Sequence, residues 1–117
     1  MFGSAFQWHF PTPPTGDYFT VIVDLLRPLS RGEVTLNSAN PREAPKINLG
    51  FFNNELDIVA MREGVRWVDE VLTKGEGMKD ILAEDYPWPL ERDDDEKLRH
   101  AILERASTGF RKFIIFI

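Results

Sequence analysis

Two polar side chains in apolar surroundings are the first candidates for chemistry. His9 stands between Trp8 and Phe10, and packing against these rings favours the neutral imidazole by lowering its pKa. Such a histidine can carry a proton near neutral pH, although a lone packed histidine is also a common structural residue. Asp24 interrupts an apolar stretch, which is costly unless the carboxylate meets solvent, a cation or a cavity. We take His9 as the candidate proton carrier and Asp24 as the group that orients it or stabilises its charged form.

Other kinds of site find little support in the sequence. There is no cysteine, and the two histidines, His9 and His100, stand far apart without a neighbouring ligand pattern, so we expect no metal site. Neither GxGxxG nor GxxxxGK[ST] occurs, so we expect no bound nucleotide or flavin. The acidic run from Asp93 to Glu96 is typical of the first turn of a solvated helix.

A strand is predicted to carry Asp24. Residues 18–27 are rich in aromatic and β-branched side chains, and Pro28 ends the run. The strand is expected to form an antiparallel hairpin with Glu33–Asn37 across the turn at residues 30–32. One face of the strand is wholly apolar and should meet the core: Phe19, Val21, Val23 and Leu25. The other face carries three candidate site residues: Thr20, Ile22 and Asp24.

Two helices are predicted after a short extended piece at residues 46–49. The first spans residues 55–72, capped by Asn53 or Asn54 and closed at Lys74-Gly75. Its apolar stripe contains Ile58, Met61, Val65, Val68 and Leu72. The second spans residues 93–106, with a stripe of Leu98, Ala101 and Ile102.

The apolar tail is predicted to be a strand. Residues 112–117 are so apolar and β-prone that exposure would leave an edge ready to pair. The tail should therefore join its own sheet or that of a second copy, which would give a homodimer through Phe113–Ile117.

Length and composition limit the class of protein. With 117 residues, 43% of them hydrophobic, the chain should fold as a single domain, residues 1–117. A net charge of −5 without a basic stripe makes nucleic acid a poor partner. The longest purely apolar run has five residues, from 113 to 117, so we expect no membrane span, and without a signal-like amino terminus we expect a cytoplasmic chain. The elements together predict an α+β fold, a twisted antiparallel sheet covered on one face by helices.

One stretch resembles a known family. Residues 27–41, RPLSRGEVTLNSANP, closely resemble the RPxSRGxVxLxSxxP stretch of the glucose-methanol-choline (GMC) oxidoreductases. The preceding PTPPTGDYFT and the later PKINLGFF and DIVAMREGVRW are similar to the same family, especially to fungal aryl-alcohol oxidases. The similarity covers roughly residues 10–110. It implies a segment of the carboxy-terminal substrate-binding domain, with a substrate-facing antiparallel sheet.

The departures from the family bear on activity. GMC oxidoreductases begin with an FAD domain carrying GxGxxG, which is not found here, and continue after this region with HPxGT, whose histidine is the catalytic base. Arg111 stands here in place of that histidine, after Phe110, which implies a chain truncated before the base. A guanidinium stays protonated, but its paired donors could hold a carboxylate or enolate oxygen. The resemblance thus adds Arg111 to the catalytic candidates and Phe110 to the substrate-binding candidates, which also include Trp8, Phe10, Thr20 and Ile22.

Three functional hypotheses follow. The first is a flavin-free descendant that binds a small aromatic or terpenoid-like ligand and catalyses, if anything, a non-redox acid–base reaction such as isomerisation or cyclisation, because alcohol oxidation needs an electron acceptor that side chains do not supply. The second is an accessory or split subunit that docks on an FAD-binding GMC oxidoreductase chain. The third is a non-functional truncation.

Overall fold

The fold consists of two helices and two small antiparallel sheets. The structure is a computed structural model and describes residues 16–17, 19–83, 90–108 and 115–116. In chain order its elements are β1 (Asp24–Leu25), β2 (Glu33–Thr35), β3 (Lys46–Asn48), α1 (Glu55–Lys74), α2 (Asp95–Arg105), β4 (Ser107–Thr108) and β5 (Ile115–Phe116). Its sheets have the orders β1-β5-β4 and β2-β3. The predicted α+β class is confirmed.

Helix α1 follows the predicted periodicity. Asn54 is its N-cap, and the Asn54 side chain accepts a hydrogen bond from the amide of Leu56. The helix runs two residues beyond the predicted end, and Gly75 caps it by donating its amide to the carbonyl of Val71. The first three residues of the predicted stripe are buried, while Val68 and Leu72 are half-buried.

The hydrophobic core lies between the two helices and β1. Helix α2 begins two residues later than predicted, after the N-cap Asp94, and buries Leu98 and Ile102. The buried core residues are Ile58, Met61, Val65, Leu98 and Ile102. Burying one large aliphatic side chain contributes roughly 1.5–3 kcal/mol, so this contact is what joins α2 to α1.

Ion pairs fix how α2 meets α1. Asp95 in the first turn of α2 pairs with Arg66 and, at 3.1 Å, with Arg62, both on α1. Arg99 donates to both carboxylate oxygens of Glu55 at 2.7 and 2.8 Å. The hydrogen bond from Arg66 lowers the pKa of Asp95. Because the carboxylates are exposed, these pairs specify the helix register more than they stabilise the fold.

The prediction that the apolar face of the first strand meets the core is confirmed for the residues nearest the helices. Val23 and Leu25 pack against the core, and α1 passes so near β1 that a Cβ on Gly64 would lie 2.9 Å from Cγ1 of Val23. The expectation that the whole apolar face is buried is wrong, because Phe19 and Val21 are 54% and 40% exposed. These two residues precede β1 and lie outside the sheet.

The predicted hairpin between residues 18–27 and Glu33–Asn37 is wrong. Strand β2 pairs with β3, with Val34 opposite Ile47, so the extended piece predicted at residues 46–49 is the true partner. β1 pairs instead with β5, Asp24 opposite Phe116. The chain is redirected after β1 because Pro28 has no amide hydrogen and the next two amides are bound by Asp57.

The tail joins its own sheet, as one of the two predicted outcomes. The backbone of β5 lies between β1 and β4 and is antiparallel to both. Neither described helix is both long and apolar enough to cross a membrane.

Candidate docking surface

An amphipathic hairpin projects from the fold. We call residues 33–49 the arm. Its two strands place alternate side chains on opposite faces, so one face carries Val34, Leu36, Ile47 and Leu49. All four are exposed, Leu36 at 85% and Val34 at 67%. The opposite face is polar and carries Glu33, Thr35, Lys46 and Asn48. We call the first set the apolar face of the arm.

Within the described residues the arm touches no other helix or strand. β2 and β3 contact each other, whereas α1 contacts β1 and α2. Neither described helix and no strand of the other sheet therefore covers the apolar face of the arm. A two-stranded hairpin is marginal alone in water, so its geometry must be fixed at its base.

A glycine crossing fixes the base of the arm. Gly32 enters the arm and Gly50 leaves it, and a Cβ on Gly32 would fall on the carbonyl oxygen of Asn48. A Cβ on Gly50 would fall on the carbonyl oxygen of Arg31 and lie 2.9 Å from Cα of Gly32. Gly50 also has φ +62°, which side chains disfavour. Only glycine at both positions allows the two strands to leave the fold this close together.

A buried carboxylate ties the arm to α1. Asp57 is 3% exposed, and its two oxygens accept the amides of Leu29 and Ser30 at 2.8 and 2.7 Å. The Ser30 hydroxyl in turn accepts the amide of Asn54 at 3.0 Å. The loop before the arm and the first turn of α1 are thus cross-linked by hydrogen bonds from both sides.

The ionised form of Asp57 is the form that this site stabilises. Burial alone raises the pKa of the carboxyl. Hydrogen bonds from the Ser30 side chain and from the amides of Leu29 and Ser30, together with the charge of Arg31, outweigh burial and lower the pKa below its usual value. We call the hydrogen bonds from Leu29 and Ser30 to Asp57 the clamp. The clamp depends on the negative charge of the Asp57 carboxylate.

Asp57 is not among the site residues predicted from the sequence. A signal was present, because Asp57 lies four residues before Met61 and eight before Val65, on the buried stripe of α1. A carboxylate on that stripe has to find donors outside its own helix, and the amides of the preceding loop supply them.

The described residues place only part of the predicted site. Asp24 lies in β1, and Thr20 and Ile22 precede it; all three are exposed. The other five candidates lie outside the described residues: Trp8, His9, Phe10, Phe110 and Arg111. The convergence of His9, Asp24 and Arg111 therefore stays a prediction.

The described helix ends do not fit an FAD molecule. A pyrophosphate is held by helix N-terminal amides, but α1 begins with Glu55 and Asp57 and α2 with Asp95 and Glu96. These carboxylates occupy or repel the positive ends that a diphosphate needs. Within the part of the chain that the structure describes, no three acidic or histidine side chains are grouped to hold a metal.

Comparison with known proteins identifies the family. The family model for the carboxy-terminal domain of GMC oxidoreductases matches residues 28–111 of this chain. This chain belongs to the GMC oxidoreductase family. The resemblance inferred from residues 27–41 is thereby confirmed.

Relatives show how much of a GMC oxidoreductase the chain represents. A formate oxidase variant from Aspergillus oryzae RIB40, studied for FAD modification, is 58% identical across 94% of this chain, with a TM-score of 0.85. Oxygen-dependent choline dehydrogenase from Brucella anthropi is 35% identical over 79% of the chain, and a Monascus purpureus dehydrogenase is 34% identical over 50%. The chain spans 19%, 17% and 10% of these proteins, respectively. The aryl-alcohol oxidase subgroup stays a prediction.

Proposed function

We propose that this chain acts as the carboxy-terminal-domain part of a flavin-dependent GMC oxidoreductase that oxidises a small substrate of the formate type. It serves by docking on a flavin-binding part. This role is the second of the three hypotheses from the sequence, an accessory or split subunit. The proposed substrate class of the enzyme comes from the similarity of this chain to formate oxidase.

The observation that carries the proposal is the imbalance between buried and exposed apolar side chains. Among the described residues five hydrophobic side chains are buried, whereas fourteen large ones are exposed. Scattered exposed apolar residues are ordinary, but a contiguous apolar surface is typical of an interaction site. Four of the fourteen make up the apolar face of the arm. Such a surface suits a segment whose packing is completed by another part of a protein.

The cofactor argument supports the same role. The acidic helix ends of α1 and α2 do not suit a pyrophosphate, so we assign FAD binding to the other part of the enzyme. When bound there, FAD supplies the electron acceptor that side chains lack. This chain contributes a positioned surface beside it.

A transplant tests the proposal. Aspergillus oryzae formate oxidase would be made with its matching stretch replaced by residues 28–110 of this chain, so that the parent keeps its own residue where this chain has Arg111, and the parent enzyme would be the control. We expect the transplant to retain FAD absorbance after gel filtration and to oxidise formate within about tenfold of the parent, a loss of about 1.4 kcal/mol. A folded transplant without flavin or without formate oxidation would overturn the proposal.

A flavin-free ligand site is the second candidate. The observation in its favour is that Thr20, Ile22 and Asp24 are all exposed and so are accessible to a small molecule. Calorimetric titration of the full chain with aromatic and terpenoid ligands tests it. His9→Ala and Arg111→Lys should each weaken binding or turnover about tenfold if those residues join the site. No heat of binding with any ligand would remove this candidate.

A further inference from the structure

The arm is ordered before any partner binds, and none of the described helices or other strands covers its apolar face. Because its base is held by the Gly32–Gly50 crossing and by the Asp57 hydrogen bonds, the orientation of the arm is set before any partner arrives. A surface that is ordered in advance loses little conformational entropy on binding.

The apolar face is too small to be an interface by itself. Four aliphatic side chains offer a few hundred Å², whereas a stable complex buries about 800 Å² on each partner. Two copies of the chain that met only through this face would fall short of that area. The face instead suits one contact within a larger interface, and Leu26 and Leu29, shortly before the arm in the sequence, are also exposed.

We infer that the apolar face of the arm packs against the flavin-binding part of a GMC oxidoreductase. This inference rests on the proposed function and names the contact surface that serves it. In formate oxidase the stretch matched by this chain is 19% of a longer protein, so the remaining four-fifths supply the chain that can cover the arm. The polar face, with Glu33 and Lys46, stays in water.

Photo-crosslinking of the full chain locates the contact. Formate oxidase lacking its matching stretch, here called the gapped oxidase, would be co-expressed with the chain carrying a benzophenone amino acid at Ile47. The matched control carries it at Lys46, on the opposite face and equally part of β3. We expect a crosslink to the gapped oxidase from position 47 and at least tenfold less from position 46. Equal crosslinking, no crosslink at either position, or a crosslink from 47 to a second copy of the chain would overturn the inference.

A pair of substitutions gives an independent readout should the gapped oxidase fail to fold. Val34→Asp and Thr35→Asp are neighbours in β2 on opposite faces, and both side chains are exposed. In the transplant, Val34→Asp should reduce bound FAD at least tenfold while Thr35→Asp changes it less than twofold. In the isolated full chain both should leave the thermal midpoint unchanged. An active transplant that tolerates both changes equally would overturn this inference and leave the proposed function standing, and unfolding of the isolated chain by Val34→Asp alone would also overturn the inference.

Discussion

Asp57 is the residue on which the geometry of the arm depends most. Replacement by Asn keeps the shape but removes the charge and turns one acceptor into a donor facing the amides of Leu29 and Ser30. We expect Asp57→Asn to lower the free energy of unfolding by about 2–3 kcal/mol, because a buried amide loses its partner. Urea denaturation followed by circular dichroism measures this. Asp80→Asn, at an exposed turn, is the control and should change stability by less than about 0.5 kcal/mol.

The charge of Asp57 also makes the clamp sensitive to acid. Its pKa is lowered in the folded chain, so its contribution is present above the unfolded pKa of about 3.9 and is lost as pH falls through the folded value. The stability difference between the wild type and Asp57→Asn should therefore be full at pH 7 and shrink below about pH 4. Denaturation curves at pH 7, 5 and 3 check it. A difference that grows on acidification would contradict the clamp.

At the scale of elements, α1 is the part that the sequence predicts best. Met61→Ala should destabilise the chain by about 2–5 kcal/mol, because a fully buried side chain leaves a cavity between α1 and α2. Leu56→Ala, in the same helix but 62% exposed, is the matched control and should cost less than about 0.5 kcal/mol. Thermal unfolding distinguishes the two, and equal shifts would mean that the stripe does not face the core.

Local patterns account for what could be predicted among the elements, and distant contacts account for what could not. The period of α1, the cap at Asn54 and the extended piece at β3 depend on neighbours within one or two turns. The partner of β1 is instead decided by Phe116, at the far end of the chain, which no local pattern reports. The GMC resemblance supplied the family from residues 27–41, but it could not show that β2 pairs with β3. In the candidate site, the exposure of Asp24 could be predicted from the sequence. The hydrogen bonds to Asp57 could not, because they depend on how the loop before the arm packs against α1.

At the scale of the whole molecule, the tail closes one sheet. The backbone of β5 lies between β1 and β4, so deletion of Phe113–Ile117 leaves both without their partner. We expect the deleted chain to be less soluble and, where the predicted homodimer forms, to lose it. Light scattering after gel filtration measures both the mass and the recovered amount. A fully soluble chain of unchanged mass would count against a structural role for the tail.

The glycine crossing has a consequence for how this region tolerates change in length. Because Gly32 and Gly50 hold the two ends of the arm together whatever lies between them, residues at its tip, such as 38–45, can lengthen without pulling on the helices. Each doubling of a flexible loop costs only about 0.6 kcal/mol in closure entropy. The tip of the arm should therefore tolerate insertions, and a peptide tag introduced there would extend from the arm while the base of the arm stays fixed.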